Sequence, residues 1–328
     1  MVSSASQPAH LEEELDRARQ TIQQQTTYMG HLQDEVYAAR AFLEIRDTST
    51  EKAIIDIVET INYDILQVAS LLFDEVSPSL AARSSFHDDC ALCATFKSNF
   101  GSFRFLGNPD PALNDAKDTL RLSIIQAAFV SVCHDYMQPW HVTSQGKAAG
   151  VAIEAFMKDL SASMLDEEEQ AISGNWRALT HRHASRLMAP LGPAGQDAML
   201  KDLHSFLLPV WHVFGLSAEA ISASQDAARD ACMFLIKEVL RFKREAAQRV
   251  VSSELQPFMP LRGTLADERV MQLYFTTPAA AARVNELVEC CVGLGLRRTT
   301  RTSRGVEVTN LLRAQVVPSS FILFPLAD

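Results

Sequence analysis

The sequence predicts a mainly α fold with three parts: an N-terminal coiled-coil helix over residues 1–48, a multi-helix bundle over 49–255 and a small α+β element over 256–328. Three observations lead there. Apolar residues recur at heptad spacing near the start. From Glu51 onward they recur every three or four residues, the period of a helix with one buried face. After Gln256 the pattern changes to β-branched residues punctuated by glycine.

The heptad seam is the strongest signal. Leu15, Ile22, Met29, Val36 and Leu43 occupy successive a positions, and Leu11, Ala18, Gln25, Leu32 and Ala39 the d positions. Sustained apolar a/d occupancy over about four heptads is what a coiled-coil seam requires. Glu14 and Arg19, then Glu35 and Arg40, stand at g and the following e, where opposite charges attract across a parallel pair. Gln25 is a polar residue of the kind that fixes register. Self-association through Leu11, Leu15, Ile22, Met29, Leu32, Val36 and Leu43 is therefore expected. The small Ala18 and Ala39 leave antiparallel or mixed pairing open, as they do docking on the body. A leucine-zipper DNA reader is excluded, because residues 1–10 hold no Lys or Arg.

Next, Thr48 and Glu51 have capping-box spacing, predicting a helix to Val76 that Pro78 stops. Ile54, Val58, Ile61, Ile65, Val68 and Leu72 form its core stripe. A short helix is expected near Ala91–Phe96, with Phe96, Phe100, Phe103 and Phe105 in a packed loop or short strand. Asp110 and Pro111 open a helix to Met137. Further helices are expected at 147–164, 166–187, 195–214 and 218–251, with Asp166 to Glu169 filling one first turn and Pro209 kinking or splitting its helix. Residues 190–195 read as a turn. A helix from Pro278 to Cys291, a hairpin turning near Ser303–Gly305 and a strand over 321–326 complete the chain.

Composition limits the function. Hydrophobic residues are 47% and charged residues 21% of 328, a globular balance. The formal charge of -10 excludes a generic nucleic-acid or anionic-membrane binder, which needs a positive face. No secretory leader or spanning segment is read, and the six cysteines lie in apolar patterns as reduced thiols. A cytoplasmic or nuclear location follows as an expectation.

Chemistry is sparse. No G-x-S-x-G turn, P-loop or H-E-x-x-H is present, so no catalytic residue is assigned, and no cofactor is expected. His87, Cys90 and Cys93 are weak metal candidates, with Cys133 and His134 as conceivable completing ligands. The plainer reading is apolar thiols on one helix face, since no second ligand pair exists. Arg297, Arg298, Arg301 and Arg304 form a basic tract suited to an anion or a partner segment, or to guarding a sheet edge. Trp140, His141, Trp211 and His212 are candidates to line a ligand pocket, although aromatic residues on apolar helices are usually core. Trp176, Arg177, His181, Arg182, His183 and Arg186 form a basic-aromatic patch that reads as the solvated end of a helix, with an anion or ligand site as the alternative.

The segment Leu11–Leu43 together with Glu167–Thr180, EEEQAISGNWRALT, resembles lineage-restricted helical proteins of mushroom-forming fungi that carry an N-terminal coiled coil. The resemblance implies an intracellular, mainly α protein and carries over no activity and no site residue. Taken together, the expectation is a non-enzymatic homodimeric adaptor or regulatory protein with a protein partner. The alternative is an all-helical ligand-binding or sensory domain.

Overall fold

The computed structural model describes residues 6–43, 47–80, 91–101, 106, 114–138, 140, 148–187, 193–274 and 286–320. The chain forms two compact units, Met1–Ile45 and Arg46–Asp328.

The first unit is one helix, α1 (Ser6–Leu43). Its 38 residues extend about 57 Å at 1.5 Å per residue. Ion pairs one turn apart, Arg17 with Glu13 and Arg19 with Asp16 at 3.5 Å, brace its solvated surface.

The second unit holds seven helices among the described residues: α2 (Glu51–Leu80), α3 (Ala91–Phe100), α4 (Asn114–Met137), α5 (Ala148–Glu167), α6 (Gln170–Leu187), α7 (Pro193–Val213) and α8 (Ala218–Arg249). Six strands follow: β1 (Glu254–Phe258), β2 (Met271–Leu273), β3 (Val288–Gly293), β4 (Gly295–Thr302), β5 (Gly305–Leu312) and β6 (Ala314–Pro318). The architecture is thus mainly α with a small C-terminal β region.

The stripe on α2 is buried throughout, from Ile54 to Leu72, and packs along α8. α4 is the central helix. Its Ile124, Ile125, Ala128, Phe129 and Val130 are all inaccessible, because α2, α7, α8 and the sheets surround it. A helix apolar all round belongs in a core. The bundle and both sheets share that core, with Leu294, Leu296 and Val316 continuing it into the β region.

The strands make two three-stranded sheets, ordered β1-β4-β5 and β2-β6-β3. β4 and β5 are an antiparallel hairpin turning at Thr302–Gly305, where Gly305 takes a positive φ of 117°. β2 runs parallel to β6, and β3 antiparallel to it. The chain leaves one sheet and enters the other through Gly293–Leu294–Gly295. There Asn62 on α2 donates to the Leu294 carbonyl at 2.9 Å and accepts from its N–H at 2.8 Å.

Several expectations are corrected. Thr50, not Thr48, caps α2, its hydroxyl accepting from the Ala53 N–H at 3.2 Å. Pro78 lies inside the last turn of α2, and α7 continues through Pro209. Phe96 and Phe100 sit on α3; Phe103 and Phe105 lie outside the described residues. Asp166 and Glu167 end α5, and Glu168 and Glu169 fall in the break before α6, so they do not fill a first turn. Cys290 and Cys291 are on strand β3, because a short apolar run buried on both faces suits a strand as well as a helix. The proposed cap at Asp110–Pro111, the helix start at Pro278 and the strand over 321–326 lie outside the described residues.

Candidate functional site

Two features carry chemistry, one in each unit. On α1, the seam residues Leu15, Ile22, Met29, Leu32 and Val36 are all exposed, Ile22 by 62% and Met29 by 60%. The side chains of Leu11 and Leu43 lie outside the described residues. Large apolar residues repeated at seam spacing and left in water are unusual for a finished surface.

In the second unit, a cavity of about 350 Å³ opens between α5, α6, α8, the end of α4 and the start of β1. Met137, Trp140, Leu165, Phe242 and Leu255 give it an apolar wall. Lys158, Arg177 and Lys243 bring cations from three helices, and Glu254 is the one carboxylate among the described residues of the wall.

Arg177 is held from several sides. It pairs with Glu254 at 3.2 Å, and its Nη2 donates to the carbonyls of Val250 at 2.5 Å and Ser253 at 2.8 Å. The same connection between α8 and β1 is gripped from the other side by Asp47, whose Oδ1 accepts from the N–H groups of Val251 at 2.7 Å and Ser252 at 3.0 Å. Gly174 makes this approach possible, since a Cβ there would overlap the Val251 carbonyl. Gln170 adds a bridge, donating to Val251 O at 3.3 Å and accepting from Arg301 N at 2.8 Å.

Behind the cavity wall, His181 stacks on Trp140 with ring centroids 4.1 Å apart, and Trp140 leans on Trp176 at 5.6 Å. Burial, reinforced by the positive charges of Lys243 and Arg177, pushes His181 down to about 3. Burial also pushes Lys243 down to about 8, with Glu154 partly opposing the shift. Arg177 moves below the usual guanidinium value through burial, Glu254 opposing.

Of the four residues offered from the sequence as pocket candidates, Trp140 alone lines this cavity. Trp211 is fully buried beside Phe214 in the core, and its indole N–H finds no acceptor among the described residues. His212 is exposed at the end of α7, and His141 lies outside the described residues. Three of the four arginines turn to separate partners. Arg297 lies over the Phe258 ring at 4.5 Å, Arg298 pairs with Glu51 at 2.8 Å, and Arg301 donates to the carbonyls of Leu165, at 3.0 Å, and Asp166. Arg304 is exposed at the hairpin turn. His87 and Cys90 lie outside the described residues, and Cys93 is buried on α3. Among the described residues no cluster of His, Cys, Asp and Glu suits a metal ion. The five described cysteines are buried and form no disulfide among the described residues.

The expected solvated helix end is corrected. Arg177 and His181 are buried, while Arg182 and His183 on the same helix are exposed. The overlooked signal is the run Ser173-Gly174-Asn175, with Ala178 one turn on. All four are buried, and small residues on a helix face mark close approach by another segment.

Among the described residues no helix is long and apolar enough to cross a membrane. Comparison of the chain with protein-family profiles, with curated proteins and with solved structures returned no match.

Proposed function

We propose that this chain is a non-enzymatic, homodimeric adaptor or regulatory protein whose α1 pairs with α1 of a second copy. The observation that carries the reading is the exposed seam Leu15, Ile22, Met29, Leu32 and Val36 on a 38-residue helix. A helix of that length with an apolar stripe gains most of its stability from a partner surface. Pairing would remove the stripe from water at roughly 25 cal/mol per Å² of apolar area. The g/e charges Glu14–Arg19 and Glu35–Arg40 favour the parallel arrangement. The remaining unit is then the part that two copies present together to a protein partner.

The test is light scattering after size-exclusion chromatography on the full chain and on the chain lacking residues 1–46. That truncation keeps Asp47, which binds the end of α8. A dimer that becomes a folded monomer supports the assignment. A dimer that survives the truncation contradicts it.

A second reading, a helical ligand-binding or sensory unit, is favoured by the cavity beside Trp140. Pockets of this size between bundle helices are common ligand sites.

A further inference from the structure

A second cavity, of about 510 Å³, opens where α2 and α4 meet residues of β2, β3, β5 and β6. Side-chain amides supply much of its polar wall. Gln126 comes from α4, and Gln272 and Gln315 come from β2 and β6. The last two are register partners across a parallel pair, so their side chains stand on one face of the sheet. Gln315 lies across Gly293, 3.0 Å from where a Cβ there would stand, and the absence of that Cβ leaves room for it. Asn62 fixes the α2 side, because both ends of its amide are engaged with Leu294. Gln126 differs. It is 3% exposed, and its carbonyl oxygen finds no donor among the described residues. Buried polar groups are ordinarily paired, so an open one on a cavity-lining residue points to something that enters the cavity.

The rest of the wall sets the character of that ligand. Leu66, Val292, Leu311 and Leu312 are apolar, and Tyr63 and Tyr274 contribute rings. The charged residues of the described wall are Glu59 and Arg313, one of each sign and both exposed. An ionic ligand therefore gains no net attraction there, whereas a neutral one with hydrogen-bonding edges and a flat apolar face is matched on both counts. A glutamine amide offers a donor beside an acceptor, and a half-turn about its last bond exchanges the two. Its complement is a planar edge that carries an acceptor beside a donor, the edge of a nucleobase, which a glutamine reads through two bonds. An aromatic side chain adds a stacking surface for any base. We propose that this cavity binds a nucleobase, carried as an uncharged nucleoside, with the base edge turned to Gln126 and its face against Tyr63. The site goes beyond both readings above, since it involves neither α1 nor the cavity beside Trp140.

The probes are adenosine, inosine, cytidine and uridine, titrated into the full chain with calorimetric detection. At least one should saturate below about 1 mM, and its 5′-monophosphate should bind no more tightly. Gln126→Leu keeps the volume and removes a buried oxygen that has no donor, so the melting temperature should not fall. The affinity for that nucleoside should nonetheless drop at least about tenfold. Tyr63→Ala, at an exposed position that does not threaten the fold, should weaken the same nucleoside about tenfold through lost stacking. Trp140→Phe, in the other cavity, should leave its affinity unchanged. No saturation by any of the four, a monophosphate that binds about tenfold more tightly, or affinity that survives both Gln126→Leu and Tyr63→Ala would overturn the proposal. Loss of binding on Trp140→Phe with Gln126→Leu silent would also overturn it, and would put the nucleoside in the other cavity.

Discussion

Asn62 and Leu294, 232 positions apart in sequence, exchange two hydrogen bonds: the Asn62 amide donates to the Leu294 carbonyl and accepts from its N–H. A side-chain amide thereby stands in for a neighbouring strand at the point where the chain passes from one sheet to the other. Leu294 itself is fully buried, so its backbone groups have no water to turn to.

Replacing Asn62 by Leu keeps the volume and removes both bonds. Two buried backbone groups left unpaired should cost about 2–4 kcal/mol. Urea unfolding of the variant would measure this. A loss under about 0.5 kcal/mol would mean that the crossover finds other partners.

Arg177 ties α6 to the connection between α8 and β1 through Glu254, Val250 and Ser253, with 3% of the arginine side chain and 10% of the glutamate exposed. Arg177→Met should destabilise by about 3–5 kcal/mol, because it strands a buried carboxylate and two carbonyls. Changing Glu254→Gln as well should recover part of that loss, and a double-mutant cycle would read the coupling.

Gly174→Ala should destabilise the same junction without altering any charge. The added methyl group meets backbone, the Val251 carbonyl, which cannot rotate away as a side chain would. Overpacking of this kind costs about 1–3 kcal/mol. Thermal unfolding that matches the parent protein would show that α6 shifts freely.

His181 makes stability fall in acid. Its folded value is depressed to about 3, so between about pH 6.5 and that value the unfolded chain binds more protons than the folded one. Stability therefore decreases as pH drops through that window and is insensitive to this group above it. Replacing His181 with Phe preserves the stack on Trp140 and removes the titration. The loss of stability from pH 7 to pH 5 should shrink by roughly 2 kcal/mol. Equal losses in the two proteins would place the acid sensitivity elsewhere.

Much of the helical order is legible in the sequence, since Ile54, Val58, Ile61, Ile65, Val68 and Leu72 repeat at helical spacing and all face the core. The hairpin at Ser303–Gly305 is legible for a similar reason: a glycine with positive φ between two β-branched runs is a local signal. Cys290 and Cys291 are not, because alternation disappears when both faces of a strand are buried. The cavity is legible only at Trp140. Arg177, Lys243 and Glu254 come from three elements up to 77 residues apart in sequence, and nothing local announces that they meet. Charged residues are ordinarily solvated, so Arg177 and His181 point outward on composition alone. The glycine at 174 is the local feature that betrays the crowded face.

The central claim is pairing through α1, and substituting two residues of its seam tests it without shortening the chain. Ile22→Lys with Met29→Lys places two charges on exposed a positions and touches nothing in the second unit's core. Light scattering should give twice 36.3 kDa for the parent chain and 36.3 kDa for the variant, with unchanged unfolding of the second unit. A parent chain that is already monomeric, or a variant that remains dimeric, would contradict the account.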